Sequence, residues 1–151
     1  MPLDQTANFA RGELDAAVAA ADTTITVVDG TQFPDPANGN YNLVIFDQTQ
    51  HARPDQDPNV EIVRATSRVS TTELAVDRGK EGTTAADHPA GSAVLLAATS
   101  KVFDDAEQQI DSNTQSINNL PADFVVSGEG REFEVQKNGT DGQGIINFKT
   151  S

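Results

Sequence analysis

Cysteine is absent from this chain, and with it go disulfides, thiolate metal sites and cysteine nucleophiles. Tryptophan is absent too, tyrosine occurs once, and the only histidines are His51 and His88, too few for a zinc site without carboxylate help. No apolar run approaches the ~20 residues of a membrane span. The start, Met1-Pro2-Leu3-Asp4, has neither the basic nor the apolar region of a signal peptide, so the expected product is made in soluble form inside a cell, without membrane insertion. Basic residues are scarce, 10 against 23 acids, for a net charge of −13. Residues 1–100 hold 14 acids and 6 bases and residues 101–151 hold 9 and 4, so the acid is spread rather than gathered in a tail. A surface of this sign repels phosphates, which argues against nucleic acid and anionic membrane as partners.

Distributed acid, only four lysines, and small apolar residues (Ala, Val, Thr) fit a protein working in concentrated salt, where a short Debye length screens self-repulsion. A merely soluble acidic protein is the plainer alternative.

The rest of the chain is organised around Lys101–Leu120, which reads as one long helix. With Phe103 at heptad position a, Ile110 and Ile117 follow at a, and Ala106, Asn113 and Leu120 fall at d. The residues between are almost all polar. So narrow a stripe suits a seam between identical helices better than the wall of a globular core. Ile at a with mixed residues at d leans away from a dimer, and Asn113 fixes register at some cost in stability. The competing reading is a single amphipathic helix packed on its own domain.

Before the helix the chain is β-rich. Thr24–Val28 is β-branched throughout and stops at Asp29-Gly30. Phe33-Pro34-Asp35-Pro36 is a turn-rich link. Tyr41–Phe46 is apolar on both faces, as a central strand requires. Val60–Thr66, Glu73–Val76 and Ala93–Ala98 follow, with turns every eight to twelve residues, the pattern of a small antiparallel β-barrel or sandwich. Residues 1–20 read as an extended arm with a cap at Asp4, and Glu13–Ala21 suits either a helix or a strand of small residues. After the helix, Phe124–Val126, Glu132–Val135 and Ile145–Phe148 read as strands, with a hairpin turn at Asn138-Gly139. A segment of about thirty residues cannot bury a core alone, so this tip should intertwine with its copies, placing Phe133, Ile145 and Phe148 inside. The division is therefore a β-rich anchoring domain (1–100), a coiled-coil helix (101–120) and a small β tip (121–151). Asn138, Thr140, Asp141 and Gln143 are the candidate tip contacts.

Few constellations carry chemistry. Asp55, Asp57, Asn59 and Glu61 alternate like the opening of a calcium loop, but Val60 stands where its Gly is needed and Thr66 where its Glu is needed. No nucleophile elbow or phosphate loop is present. No cofactor and no enzymatic activity are expected. The informative stretch runs from Arg78 to Val94: Gly79 and Gly82 allow tight turns, Gly91 turns into the next strand, and Arg78 and His88 are expected to hold the loop through carbonyls or Asp87.

That run, RGxxGTTAxxHxxGxxV, with the preceding Thr/Val strand and the Phe33-Pro34 turn, resembles a small β-module of tailed-virus virion proteins, found in tails, baseplates and fibres. With the opening Met1-Pro2-Leu3-Asp4 and the Arg53–Pro58 loop, the likeness is to fibre-type or surface-appended proteins of haloarchaeal tailed viruses, over about residues 1–104. The resemblance implies a structural role on the virion exterior and no catalytic residues. The expected protein is a homotrimeric short fibre or spike, attached to other virion proteins through the N-terminal arm and the Arg78–Val94 loop, with a host surface receptor as partner of the tip. A capsid turret or decoration protein is the nearest alternative, and a soluble carbohydrate- or protein-binding module the more distant one.

Overall fold

The computed structural model describes residues 3–120 and the segments 123–128, 131–136 and 145–149. The chain forms two compact units, Met1–Glu107 and Gln108–Ser151.

The first unit is one curled antiparallel sheet, a half-barrel of six strands: β1 (Arg11–Glu13), β2 (Thr24–Thr26), β3 (Tyr41–Phe46), β4 (Glu61–Arg68), β5 (Glu73–Asp77) and β6 (Ala93–Leu95). Their spatial order is β1-β6-β3-β4-β5-β2. Strand β3 lies centrally, as its two-sided hydrophobicity requires, with Val44 opposite Ile62 on β4 and Leu95 on β6. A bulge between Ala65 and Ser67 breaks the β4–β5 register, and such an extra residue bends and twists a strand. The outer strands meet where Leu14 bridges Val27: Asp15 N–H donates to Thr26 O and Val28 N–H to Glu13 O, each at 2.9 Å.

The alanine-rich stretch after Glu13 is therefore not a helix. Leu14 and Val18 are buried and bridge Val27 and His88, so tertiary pairing overrides alanine's helix propensity. Asp4 does not cap a helix either. Its carboxylate takes two hydrogen bonds from Arg64, at 2.6 and 2.8 Å.

Inside the curl, Leu14, Ile25, Tyr41, Leu43, Ile45 and Leu74 are almost wholly buried. Burial pushes the Tyr41 phenol up to about 12, so it remains a donor, to Pro34 O at 2.9 Å. Arg68 donates to Gly30 O, Phe33 O and Pro34 O at 2.9–3.1 Å, which closes the Phe33-Pro34 turn onto β4.

Helix α1 spans Ser100–Asn118. The remaining strands, β7 (Asp123–Gly128), β8 (Arg131–Gln136) and β9 (Ile145–Lys149), form an antiparallel meander. The register sets Phe124 opposite Val135 and Val126 opposite Phe133, then Phe133 opposite Phe148 and Val135 opposite Ile146. Ile145, expected beside Phe133 and Phe148, pairs with Gln136 in the other row. The Asn138-Gly139 turn and the candidate contacts Asn138, Thr140, Asp141 and Gln143 lie outside the described residues.

Candidate functional site

The Arg78–Val94 loop is held by a carboxylate that its own sequence does not contain. Glu61, the first residue of β4, is fully buried. Its Oε1 accepts from Arg78 Nε and the Gly79 N–H, both at 2.8 Å. Its Oε2 accepts from Arg78 Nη2 at 2.7 Å and the Ala86 N–H at 3.1 Å, and lies 3.0 Å from His88 Nε2. Burial pushes this carboxyl up, but hydrogen bonds from His88, Arg78, Gly79 and Ala86 outweigh it and hold it at about 2. Arg78 also donates to the carbonyls of Ala19, Asp22 and Ala86 at 2.7–3.1 Å, tying the arm to the loop. Val18 and His88 exchange backbone hydrogen bonds at 2.8 and 2.9 Å.

The sequence expectation is thus half met. Arg78 does bind carbonyls, but the carboxylate partner is Glu61. Asp87 instead accepts from the Ala20 N–H at 2.7 Å. The glycines have the expected reason: Gly79, Gly82 and Gly91 sit at φ of +60°, +82° and +82°. The side chains of Arg78 and His88 are only 7% and 1% exposed, so these two face inward, while Glu81 and Asp87 of the same run are exposed. Both carboxylate oxygens of Glu61 face donors inside the protein. The arrangement is a strut.

The same loop roots the helix. Glu81, in a left-handed turn at φ +50°, accepts from Ser100 Oγ at 2.7 Å, the Lys101 N–H at 3.2 Å and the Asn42 amide. Burial opposes its charge, but these donors prevail and lower its pKa. A carboxylate there meets helix N–H groups that lack intrahelical partners and the positive end of the dipole. Lys101 Nζ in turn holds the buried Asp105 at 2.6 and 2.7 Å. Lys101 and Asp105 also line a cleft of about 460 Å³ with Asp4, Arg64 and Asn38–Asn40. Its charges are paired with one another, Arg64 with Asp4 and Lys101 with Asp105, so it offers a ligand no unspent charge.

The calcium-like run is also engaged internally. Asp57 accepts from the Asp47 N–H at 2.7 Å and the Asn59 N–H at 2.8 Å, and Glu61 belongs to Arg78. Arg53 lies 3.1 Å from Asp55.

The helix carries an exposed stripe. Phe103, Ile110 and Ile117 are 67%, 64% and 66% exposed, and Leu120 is 41% exposed. Ala106 is half-buried and Asn113 exposed. An apolar row this regular on a helix with little else apolar is a feature of the described residues that calls for a partner, whereas the exposed Phe9, Val28 and Val69 form no such row. Neither models of known protein families nor curated protein sequences match the chain.

Proposed function

We propose that this protein is a structural component of a virus particle, a trimeric short fibre or spike carried by a tailed virus of a salt-rich host. The uncovered stripe of Phe103, Ile110, Ile117 and Leu120 carries the reading. Each Ile removed from water contributes about 1.5–3 kcal/mol, and a single chain forgoes that gain. The flanks of the stripe support a second copy as its cover. In a chain with 23 acids, flanking positions e and g of the seam are Val102, Glu107, Gln109, Thr114 and Ser116, with one charge among them. Like helices therefore approach one another without facing rows of carboxylates. In this reading the half-barrel docks on other virion proteins, the helix joins three chains, and the meander reaches a host surface receptor. No catalytic step is assigned to any residue.

The reading is tested by the mass of the full-length protein in light scattering, expected to be three chains. Ile117→Asp puts a charge into each copy of the seam and should reduce the assembly to monomers with an intact half-barrel. A monomeric wild type, or a variant that keeps its mass, refutes the seam. Cryo-electron microscopy of purified particles then places the protein on the tail or on a capsid vertex, and absence from particles refutes the virion role.

A further inference from the structure

One residue of the seam is not explained by hydrophobic packing. Asn113 lies at d, three residues after Ile110 and four before Ile117. Its carbonyl is already engaged: Gln109 Nε2, one turn back, donates to Asn113 Oδ1 at 2.9 Å. With Oδ1 accepting from Gln109, Nδ2 is the end that has no acceptor among the described residues. We infer that three copies of Asn113 form an axial binding site for a monovalent anion of the halide class. This rests on the trimer proposed above, since one chain supplies only one of the three donors.

The chemistry follows from counting donors and acceptors. Three amide N–H groups converging on an axis need one acceptor for all three. A water oxygen accepts two hydrogen bonds, whereas a halide accepts three. A ring of amides bonding to one another is the competing arrangement, and in it each Oδ1 would take a second hydrogen bond beside the one from Gln109. At 1.5 Å rise per residue, Ile110 and Ile117 stand about 4.5 and 6 Å along the axis, so apolar layers close both ends. Donors left unpaired in such a cage carry their full desolvation penalty, and an anion removes it. The residues beside Asn113 are Ser112 and Thr114, and Asp111 at b turns away from the seam. An acidic protein depletes anions near its surface, so the site fills only in concentrated salt. With a dissociation constant of about 0.1 M, about 2 M halide tightens trimer association about twenty-fold.

The test compares trimer association of the full chain, by analytical ultracentrifugation, in sodium chloride and in sodium isethionate at equal ionic strength. The isethionate anion is too bulky for the cage. The wild type should associate about twenty-fold more tightly in chloride, and Asn113→Ile equally in both salts. Crystals soaked in bromide should show one anomalous peak on the three-fold axis at Asn113. A wild-type trimer indifferent to the anion, or an Asn113→Ile variant with the same chloride advantage, overturns the anion site and leaves the trimer standing. A monomer or dimer in chloride overturns the trimer and the site together.

Discussion

At Glu61, burial raises the carboxyl pKa while hydrogen bonds lower it, and the outcome of about 2 lies below the ordinary 4.5. A depressed folded-state pKa means that the unfolded chain binds the proton more readily. The stabilisation is therefore complete above about pH 4.5 and is lost as pH falls towards 2. That difference corresponds to about 3 kcal/mol. Glu61→Gln keeps the shape, removes the titration and leaves Arg78 buried without its countercharge, a loss of about 3–5 kcal/mol at neutral pH. Thermal melts from pH 7 to 2 should show the variant well below the wild type at neutral pH, with the gap closing below pH 4.5. A gap that is constant with pH would place the acid-labile group elsewhere. The residues of this strut divide by legibility. Arg78, Gly79, Gly82, His88 and Gly91 stand out because their spacing is local. Glu61 does not, because it precedes Arg78 by 17 positions and His88 by 27, and they meet only through the β4–β5 turn and the pairing of His88 with Val18.

Among elements, those that carry their own pattern were the readable ones. The expected central strand Tyr41–Phe46 is β3 to the residue, and the helix expected over Lys101–Leu120 is α1 at Ser100–Asn118. Strand β1 is the opposite case: Arg11-Gly12-Glu13 has little strand propensity and is held by its register with Ala93–Leu95. Gly12 matters there for space, since a Cβ would come within 3.1 Å of the Phe33 ring. Two other glycines separate space from backbone angle. At Gly30 a Cβ would stand 2.4 Å from the Thr71 carbonyl oxygen, a backbone atom that cannot swing aside. At Gly82 the space is open and only φ of +82° opposes a side chain. Gly30→Ala should therefore cost about 2–3 kcal/mol, and Gly82→Ala about 1–2 kcal/mol. Denaturant melts of the two variants decide the order. The reverse order would mean that the Thr71 turn yields easily.

Among the described residues of the first unit, three arginines are turned inward while Arg11 and Arg53 and most acids stand in solvent. Arg64, Arg68 and Arg78 direct their guanidinium groups to Asp4, to turn carbonyls and to Glu61. Among the described residues Asp57, Glu61 and Asp105 are buried, and most of the other carboxylates stand in solvent. The sequence showed the excess of acid but not this sorting, because which charges pair depends on long-range contacts. It likewise showed the helix stripe but no cover for it, and the partner copies proposed above would leave no trace in one chain. The sorting sets the salt dependence. The trimer proposed above would gather three chains of −13 each and multiply the self-repulsion, so its assembly should depend on salt more steeply than the fold of one chain. Melting temperature should rise from about 0.15 M to about 2 M salt, with most of the Debye effect complete by about 1 M. The rise should be smaller in Ile117→Asp, which is expected to fold without assembling. Measured on the Asn113→Ile background, the same series removes any contribution of a seam anion and isolates surface repulsion. A flat melting curve in that background would mean that the acidic surface is not an adaptation to salt. An equal rise in the monomeric variant would place the repulsion within each half-barrel, between its own exposed carboxylates, and not between chains.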